Sequence, residues 1–321
     1  RDTSCMHFDW LPKAVLTAAA VASAYYLWSR TKRRTKATRM TGKVAIVTGA
    51  TSGVGRVAAE RLVKNGLKVL LACRNLEAGA KVARALQELA PVGHAEPVAE
   101  CIACDLSSLH SVRDFAKECL ARLQGPPECS LQLLLLNAGM CPKTNQTEPT
   151  YSADGFEECF ATNHLAHFLL AKLLLPKLKA SGPSRVVVVS SSLHGAQGTG
   201  KGSVQPMLRV GSLAELRLDW RERPNGMLLY KNSKLANVLF SNELQRRLQG
   251  TRVTCNALSP GFIPNTGLSR HQGAVAGVFM RYVMPWLPFG FISTADKGAD
   301  CIEYVALSPE LDGRGGGYYA A

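Results

Sequence analysis

The sequence lacks the interleaving of basic and aromatic residues that nucleic-acid surfaces use, although its formal charge is +14. Nucleic acid is therefore not an expected partner. The excess charge is also unevenly spread, because residues 1–43 hold nine Lys/Arg against two Asp. A disulfide framework is missing too. Ten Cys are scattered through apolar segments rather than spaced as in a small secreted domain, which points to a reducing compartment. Cys101 and Cys104 form one CxxC, but no second pair lies at zinc spacing, so no metal is expected. There is no internal repeat and no sign of a second domain. A chain of 321 residues, 46% of them hydrophobic, suffices for one α/β domain with an appendage.

Long apolar runs are rare, and the first is Leu11–Trp28. As a helix it would reach about 27 Å, close to a bilayer core of ~30 Å. Lys13 could snorkel at one end, and Tyr25, Tyr26 and Trp28 suit an interface at the other. Arg30, Lys32, Arg33, Arg34, Lys36 and Arg39 follow at once. The positive-inside rule then predicts an N-terminal transmembrane helix with the remaining chain on the cytosolic, stromal or matrix side. A cleaved targeting segment is the competing reading. Residues 1–40 are expected to be anchor and basic flank, and residues 41–321 the folded domain. A second apolar stretch, residues 277–291, reads as a substrate lid, a patch dipping into the bilayer, or a core helix with a loop.

From Thr41 onward short apolar runs alternate with helical stretches. Strands are expected at Lys43–Thr48, Lys68–Ala72, Val98–Cys104, Leu131–Leu136, Arg185–Ser190 and Arg252–Leu258, with a seventh starting within Gly315–Tyr319. Helices are expected near Val54–Asn65, Leu76–Leu89, Val112–Leu123, Gly155–Ala180 and Leu229–Leu248. This βαβ alternation predicts a Rossmann-type, doubly wound parallel sheet in a single α/β domain.

The chemistry-bearing motifs sit at the strand ends. Thr48-Gly49-Ala50-Thr51-Ser52-Gly53-Val54-Gly55 lies between a strand and a helix, where a glycine-rich turn can bring backbone and helix N-terminus against a pyrophosphate. Gly49, Ser52, Gly53, Val54 and Gly55 are its candidate contacts. The second strand ends Cys73-Arg74, where an NAD site usually has a carboxylate for the ribose hydroxyl. A guanidinium suits a 2′-phosphate instead, so the expected cofactor is NADPH. Asp105, with Leu106, follows the third strand and faces the adenine. Asn137-Ala138-Gly139 closes the fourth and lets backbone pass near the cofactor. Tyr230 and Lys234 are four residues apart on one helix, so they share a face, and the lysine charge would favour the ionised phenol. Of Ser190, Ser191 and Ser192, Ser191 is the candidate for bonding a substrate oxygen. Asn163 could hold a water that relays protons to Lys234. His164 and His167 read as packing or subunit-contact residues.

Together these motifs resemble the short-chain dehydrogenase/reductase superfamily over residues 41–320. The resemblance implies that Tyr230 is the general acid and that Lys234 lowers its pKa and bonds the nicotinamide ribose. It also implies that Ser191 positions the reacting oxygen and Asn163 completes the relay. Pro260-Gly261, with Thr266 beyond, is similar to the loop at the nicotinamide end. Two branches look nearest. Light-dependent protochlorophyllide oxidoreductases are similar in residues 151–157 (YSADGFE), 162–168 (TNHLAHF), the YKNSK run and residues 260–270. Membrane-anchored retinol dehydrogenases share the basic-flanked anchor, the ACR strand end, Pro183-Ser184-Arg185 and Ser233–Asn237. Phe262 stands where the first branch typically carries a Cys tied to pigment binding. The resemblance implies a bulky hydrophobic substrate, a tetrapyrrole as first expectation and a retinoid-like carbonyl or alcohol as second. A homodimer through the two longest helices, or a non-catalytic subunit of a membrane complex, are the further partner expectations.

Overall fold

The computed structural model describes residues 40–90, 98–124, 130–143, 148–195, 226–263 and 293–321. Seven parallel strands form one sheet: β1 (Lys43–Thr48), β2 (Lys68–Cys73), β3 (Ala99–Ala103), β4 (Ser130–Leu136), β5 (Ser184–Val189), β6 (Val253–Ser259) and β7 (Tyr318–Ala320). Their order is β3-β2-β1-β4-β5-β6-β7. The order reverses between β1 and β4, and in open α/β sheets ligands bind beyond the strand C-termini at such a point. The central strands are buried on both faces, which is why they read as unbroken apolar runs.

Strand alternation divides the core into two layers. Val44, Ile46 and Leu70 face α3 (Leu109–Arg122), α4 (Ala166–Ala180) and the C-terminal part of α5 (Gly226–Arg247). Ala45, Val47 and Leu71 face α1 (Gly53–Lys64), α2 (Leu76–Gln87) and α6 (Ala295–Leu307). The register of β4 against β1 shifts between Val44 and Ala45, so Gln132 drops out of step and its amide donates to the Ser181 carbonyl at 2.9 Å. Period-2 alternation also separates the CxxC pair. Cys101 packs on the α2 side and Cys104 on the α3 side.

Two expectations change. The stretch Gly155–Ala180 is not one helix. Gly155 lies in a turn, Glu158–Phe160 is one helical turn, Ala161–Leu165 is a π-helical turn, and α4 follows. Asp154 in that turn accepts the Leu109 amide at 2.8 Å and so caps α3, while Glu157 accepts the amides of Cys159 and Phe160. The seventh strand starts at Tyr318, within the expected Gly315–Tyr319, after a glycine turn fastened to β6 by Asn256. Helix α6 was not expected at all. It is held against α1 by Arg61, which reaches Asp300 and Glu303, and Arg185 at the base of β5 donates to the Val305 and Ser308 carbonyls at its end. Among the described residues no helix is long and apolar enough to cross a membrane. The expected anchor Leu11–Trp28, the apolar stretch 277–291 and Thr266 lie outside the described residues.

Candidate active site

The glycine turn leaves β1 at the switch point. Gly49 has φ +70°, and a Cβ there would meet the Ala138 Cα at 2.7 Å. A Cβ on Gly55 would meet the Gly49 carbonyl oxygen at 2.3 Å. Neither position tolerates a side chain, and the turn therefore lies flat on the end of β4. The N-terminus of α1 is left open to a ligand. Ser52 makes no side-chain capping bond there, and the first turn carries no acidic residue. In contrast α2, α3 and α6 are capped by Asn75, Ser108 and Thr294. An uncapped helix N-terminus beside a tight glycine turn fits a dinucleotide pyrophosphate.

Asn137 fixes the turn. Its side-chain amide donates to the Thr48 and Gly49 carbonyls at 2.9 and 3.2 Å. The Thr48 hydroxyl accepts the Asn137 and Ala138 amides at 2.9 and 3.0 Å. Arg74 follows the end of β2 and is exposed. Asp105 lies just past β3, and its Oδ1 accepts from the Ser107 amide and hydroxyl at 2.9 and 2.8 Å. Leu106 is buried beside it. Both strand ends belong to the β1–β3 half of the sheet, on the same side of the switch point.

The other half gathers the polar groups of β5 and α5. Ser190 is buried and donates to the Lys234 carbonyl at 2.7 Å, while Ser192 is exposed. Ser191 lies between them; its hydroxyl accepts the Leu193 amide at 3.3 Å and pulls the Tyr230 phenol pKa down. Tyr230 and Lys234 are both buried. The Lys234 Nζ donates to the Val189 carbonyl at 3.2 Å and stands 5.6 Å from the Tyr230 ring centroid, beside Gly139. Pro260 and Gly261 follow β6, with Gly261 at φ +80°.

The electrostatics differ from the expected lowering of the tyrosine pKa. Burial pushes the Tyr230 phenol above its ordinary range, against a smaller downward pull from Ser191. Burial pushes Lys234 down to about 8. The chain's own residues thus leave both groups nearer their uncharged forms, because removing water penalises either charge more than neighbours repay it.

Asn163 lies in the π-helical turn and is fully buried. Its Oδ1 accepts the Met140 amide at 2.8 Å, and its Nδ2 reaches the Met140 carbonyl and the Ser233 hydroxyl, each at 2.9 Å. Ser233 in turn donates to the Tyr230 carbonyl at 2.7 Å. Sequence reading missed Ser233 and the Thr48 hydroxyl. Both act across the fold, so only the YxxxK and glycine motifs around them could have flagged them. His164 packs among Phe160 and Phe240 at ring-centroid distances of 5.1 and 6.0 Å, with Nδ1 3.1 Å from the Asn237 side-chain oxygen. Burial lowers it to about 4.

Residues 43–204 match the short chain dehydrogenase family. Human retinol dehydrogenase 14 is 38% identical over an alignment of 331 residues, covering 95% of this chain and 90% of that protein. Human retinol dehydrogenase 11 is 38% identical over 288 residues, covering 89% and 79%. Among solved structures, a 3-ketoacyl-(acyl-carrier-protein) reductase from Brucella melitensis, complexed with NADH, matches with a TM-score of 0.63 at 22% identity. That match covers 88% of this chain and 97% of the other. It speaks for the fold alone.

Proposed function

Because this chain belongs to the short-chain dehydrogenase/reductase family, an oxidoreductase family that typically uses NAD(P), we propose that it is an NADPH-dependent enzyme converting a lipophilic carbonyl to its alcohol. A retinoid is the favoured substrate class. The observation that carries the reading is the gathering of Ser191, Tyr230 and Lys234, with Lys234 beside Gly139 at the end of β4 and Arg74 exposed after β2. The relatives named retinol dehydrogenase support a retinoid over a tetrapyrrole. Phe262, in place of a pigment-linked Cys, weighs the same way.

NADPH, when bound, supplies the hydride that the carbonyl carbon receives. Gly49, Ser52, Gly53, Val54 and Gly55 with the α1 N-terminus would hold its pyrophosphate, and Arg74 its 2′-phosphate. Asp105, Leu106, Asn137, Ala138, Gly139, Pro260, Gly261 and Thr266 would border it. Ser191 would donate a hydrogen bond to the substrate oxygen, and Tyr230 would pass its proton to that oxygen as negative charge develops there. Lys234, as a cation, would then stabilise the phenolate, and a water on Asn163 would return the proton. We also propose that Leu11–Trp28 anchors the enzyme with residues 41–321 on the cytosolic, stromal or matrix side; resistance to alkaline extraction and protease accessibility test this.

The function test is direct. Detergent-solubilised protein is given all-trans-retinal with NADPH or with NADH, and retinol is quantified. Retinol formed faster with NADPH is expected. No retinol, in protein that still binds NADPH, would overturn the retinoid reading. A light-dependent red shift with protochlorophyllide would then restore the tetrapyrrole.

A further inference from the structure

Asn163 and the glycine turn belong to different elements, yet one side chain bridges them. His167 lies on α4, four residues past Asn163, and is 1% exposed. Its Nδ1 is 3.1 Å from the Asn163 main-chain oxygen, and its Nε2 is 2.9 Å from the Thr48 hydroxyl. The proton positions follow from what each partner can do. A carbonyl oxygen only accepts, so Nδ1 carries the hydrogen. Thr48 Oγ1 already accepts the Asn137 and Ala138 amides, so its own hydrogen remains to be donated. The Leu135 carbonyl is 3.5 Å away, and Nε2 is the nearer acceptor. Only a neutral imidazole offers one donor and one acceptor in this order. Burial, with the Lys234 charge nearby, pushes the His167 pKa down to about 3, so that form persists at every working pH.

The bridge has consequences at both ends. At one end it fixes the hydroxyl that orders the residues after β4 against the turn. At the other it joins the turn carrying Asn163, where Ala166 pairs with Ala161 in π-helical fashion. From Asn163 the bonds continue through Ser233 to the Tyr230 backbone. A buried hydrocarbon of similar size would fill the same space without making either link.

We infer that His167 is a positioning residue: as a neutral Nδ1–H tautomer it ties the Asn163 carbonyl to the Thr48 end of the nucleotide turn, fixing the spacing between cofactor cradle and proton relay. The kinetic consequence rests on the reductase reading, whereas the tautomer does not. The first measurement is therefore independent of activity. In protein labelled with ¹⁵N at histidine, the signal absent from His167→Gln is followed from pH 5.5 to 8.5. An Nδ1–H pattern that does not titrate is expected. An Nε2–H pattern, or titration in that range, overturns the inference. The second measurement is kinetic, with NADPH and all-trans-retinal. His167→Leu removes both bonds and is expected to lower kcat about tenfold or more, since small misplacements cost that much. The KM for retinal should stay within about twofold. His167→Gln, able to donate and accept, should recover most of the loss. Thr48→Val approaches from the other end and should lower kcat alike, and the double variant His167→Leu/Thr48→Val should be little worse than either single one. A His167→Leu protein with a lower Tm but wild-type kcat would reduce His167 to packing and overturn the inference. If His167→Leu does not fold, Thr48→Val with wild-type kcat overturns it equally. If the wild type reduces no retinal, the function reading fails and the tautomer measurement still decides this one.

Discussion

Arg74 and Lys234 are the two cations of the proposed site, and their settings are opposite. Arg74 sits exposed to water beyond β2. Lys234 is 3% exposed, on the other side of the switch point, and burial alone drives it towards neutrality. The difference separates two tasks. A charge meant to recognise a phosphate works at the surface, where it stays ionised and can select one anion. A charge meant to act on a transition state works where water is excluded, because each interaction is stronger there, and the fold bears the desolvation.

The largest expected effect tests the buried half. Tyr230→Phe should lower the rate of retinal reduction by about 10³-fold, within the usual range for a general acid, and leave NADPH affinity unchanged by fluorescence titration. Lys234→Met should cost a similar order of activity and also show the desolvation directly. The folded-state pKa of about 8 lies below the ordinary 10.5, so the unfolded chain holds more protons between those values and stability rises with pH across that window. Below pH 8 the penalty is fully present. The Met variant should therefore be more stable than wild type at pH 7 by roughly 2 kcal/mol, allowing for the lost bond to Val189, and the gain should vanish towards pH 10.5. Denaturant melts at both pH values check this.

Arg74→Ala addresses the exposed half. The preference for NADPH over NADH should fall by about 10- to 100-fold in KM, with kcat barely moved, as the loss of a charge-assisted contact requires. The smallest effect concerns Glu157, buried beneath the relay. Burial raises it to about 7, against two backbone amides that pull it down. The folded state holds more protons than the unfolded one between 4.5 and 7, so this group makes stability fall as pH rises through that window. Glu157→Gln should flatten that slope and, being an uncharged acceptor like the protonated acid, change stability by less than ~1 kcal/mol near pH 5. Thermal melts from pH 4.5 to 7 read both.

The same division governs what could be read in the sequence. Strands β1, β2 and β4 to β6 are runs buried on both faces, and each βα junction announces itself by residue type, as at Gly49 and Arg74. Helix α6 was hidden because Gly298 interrupts its pattern, and Gly normally weakens a helix. The fold explains it: a Cβ at 298 would lie 3.0 Å from the Pro260 carbonyl oxygen. The π-helical turn left no trace, since no periodicity marks one inserted residue. Ser191 could be chosen from three serines by position. The links His167–Thr48 and Asn163–Ser233 could not, because they join residues 119 and 70 positions apart and depend on the packing of α4 and α5.

The decisive measurement crosses the two halves in one experiment. NADPH affinity and the single-turnover rate of hydride transfer to all-trans-retinal are determined for Tyr230→Phe and Arg74→Ala side by side. The account predicts that the first variant keeps wild-type affinity and loses the rate, while the second loses affinity and, at saturating NADPH, keeps the rate. Equal loss of both quantities in both variants would contradict the division between a binding cation at the surface and a buried catalytic pair.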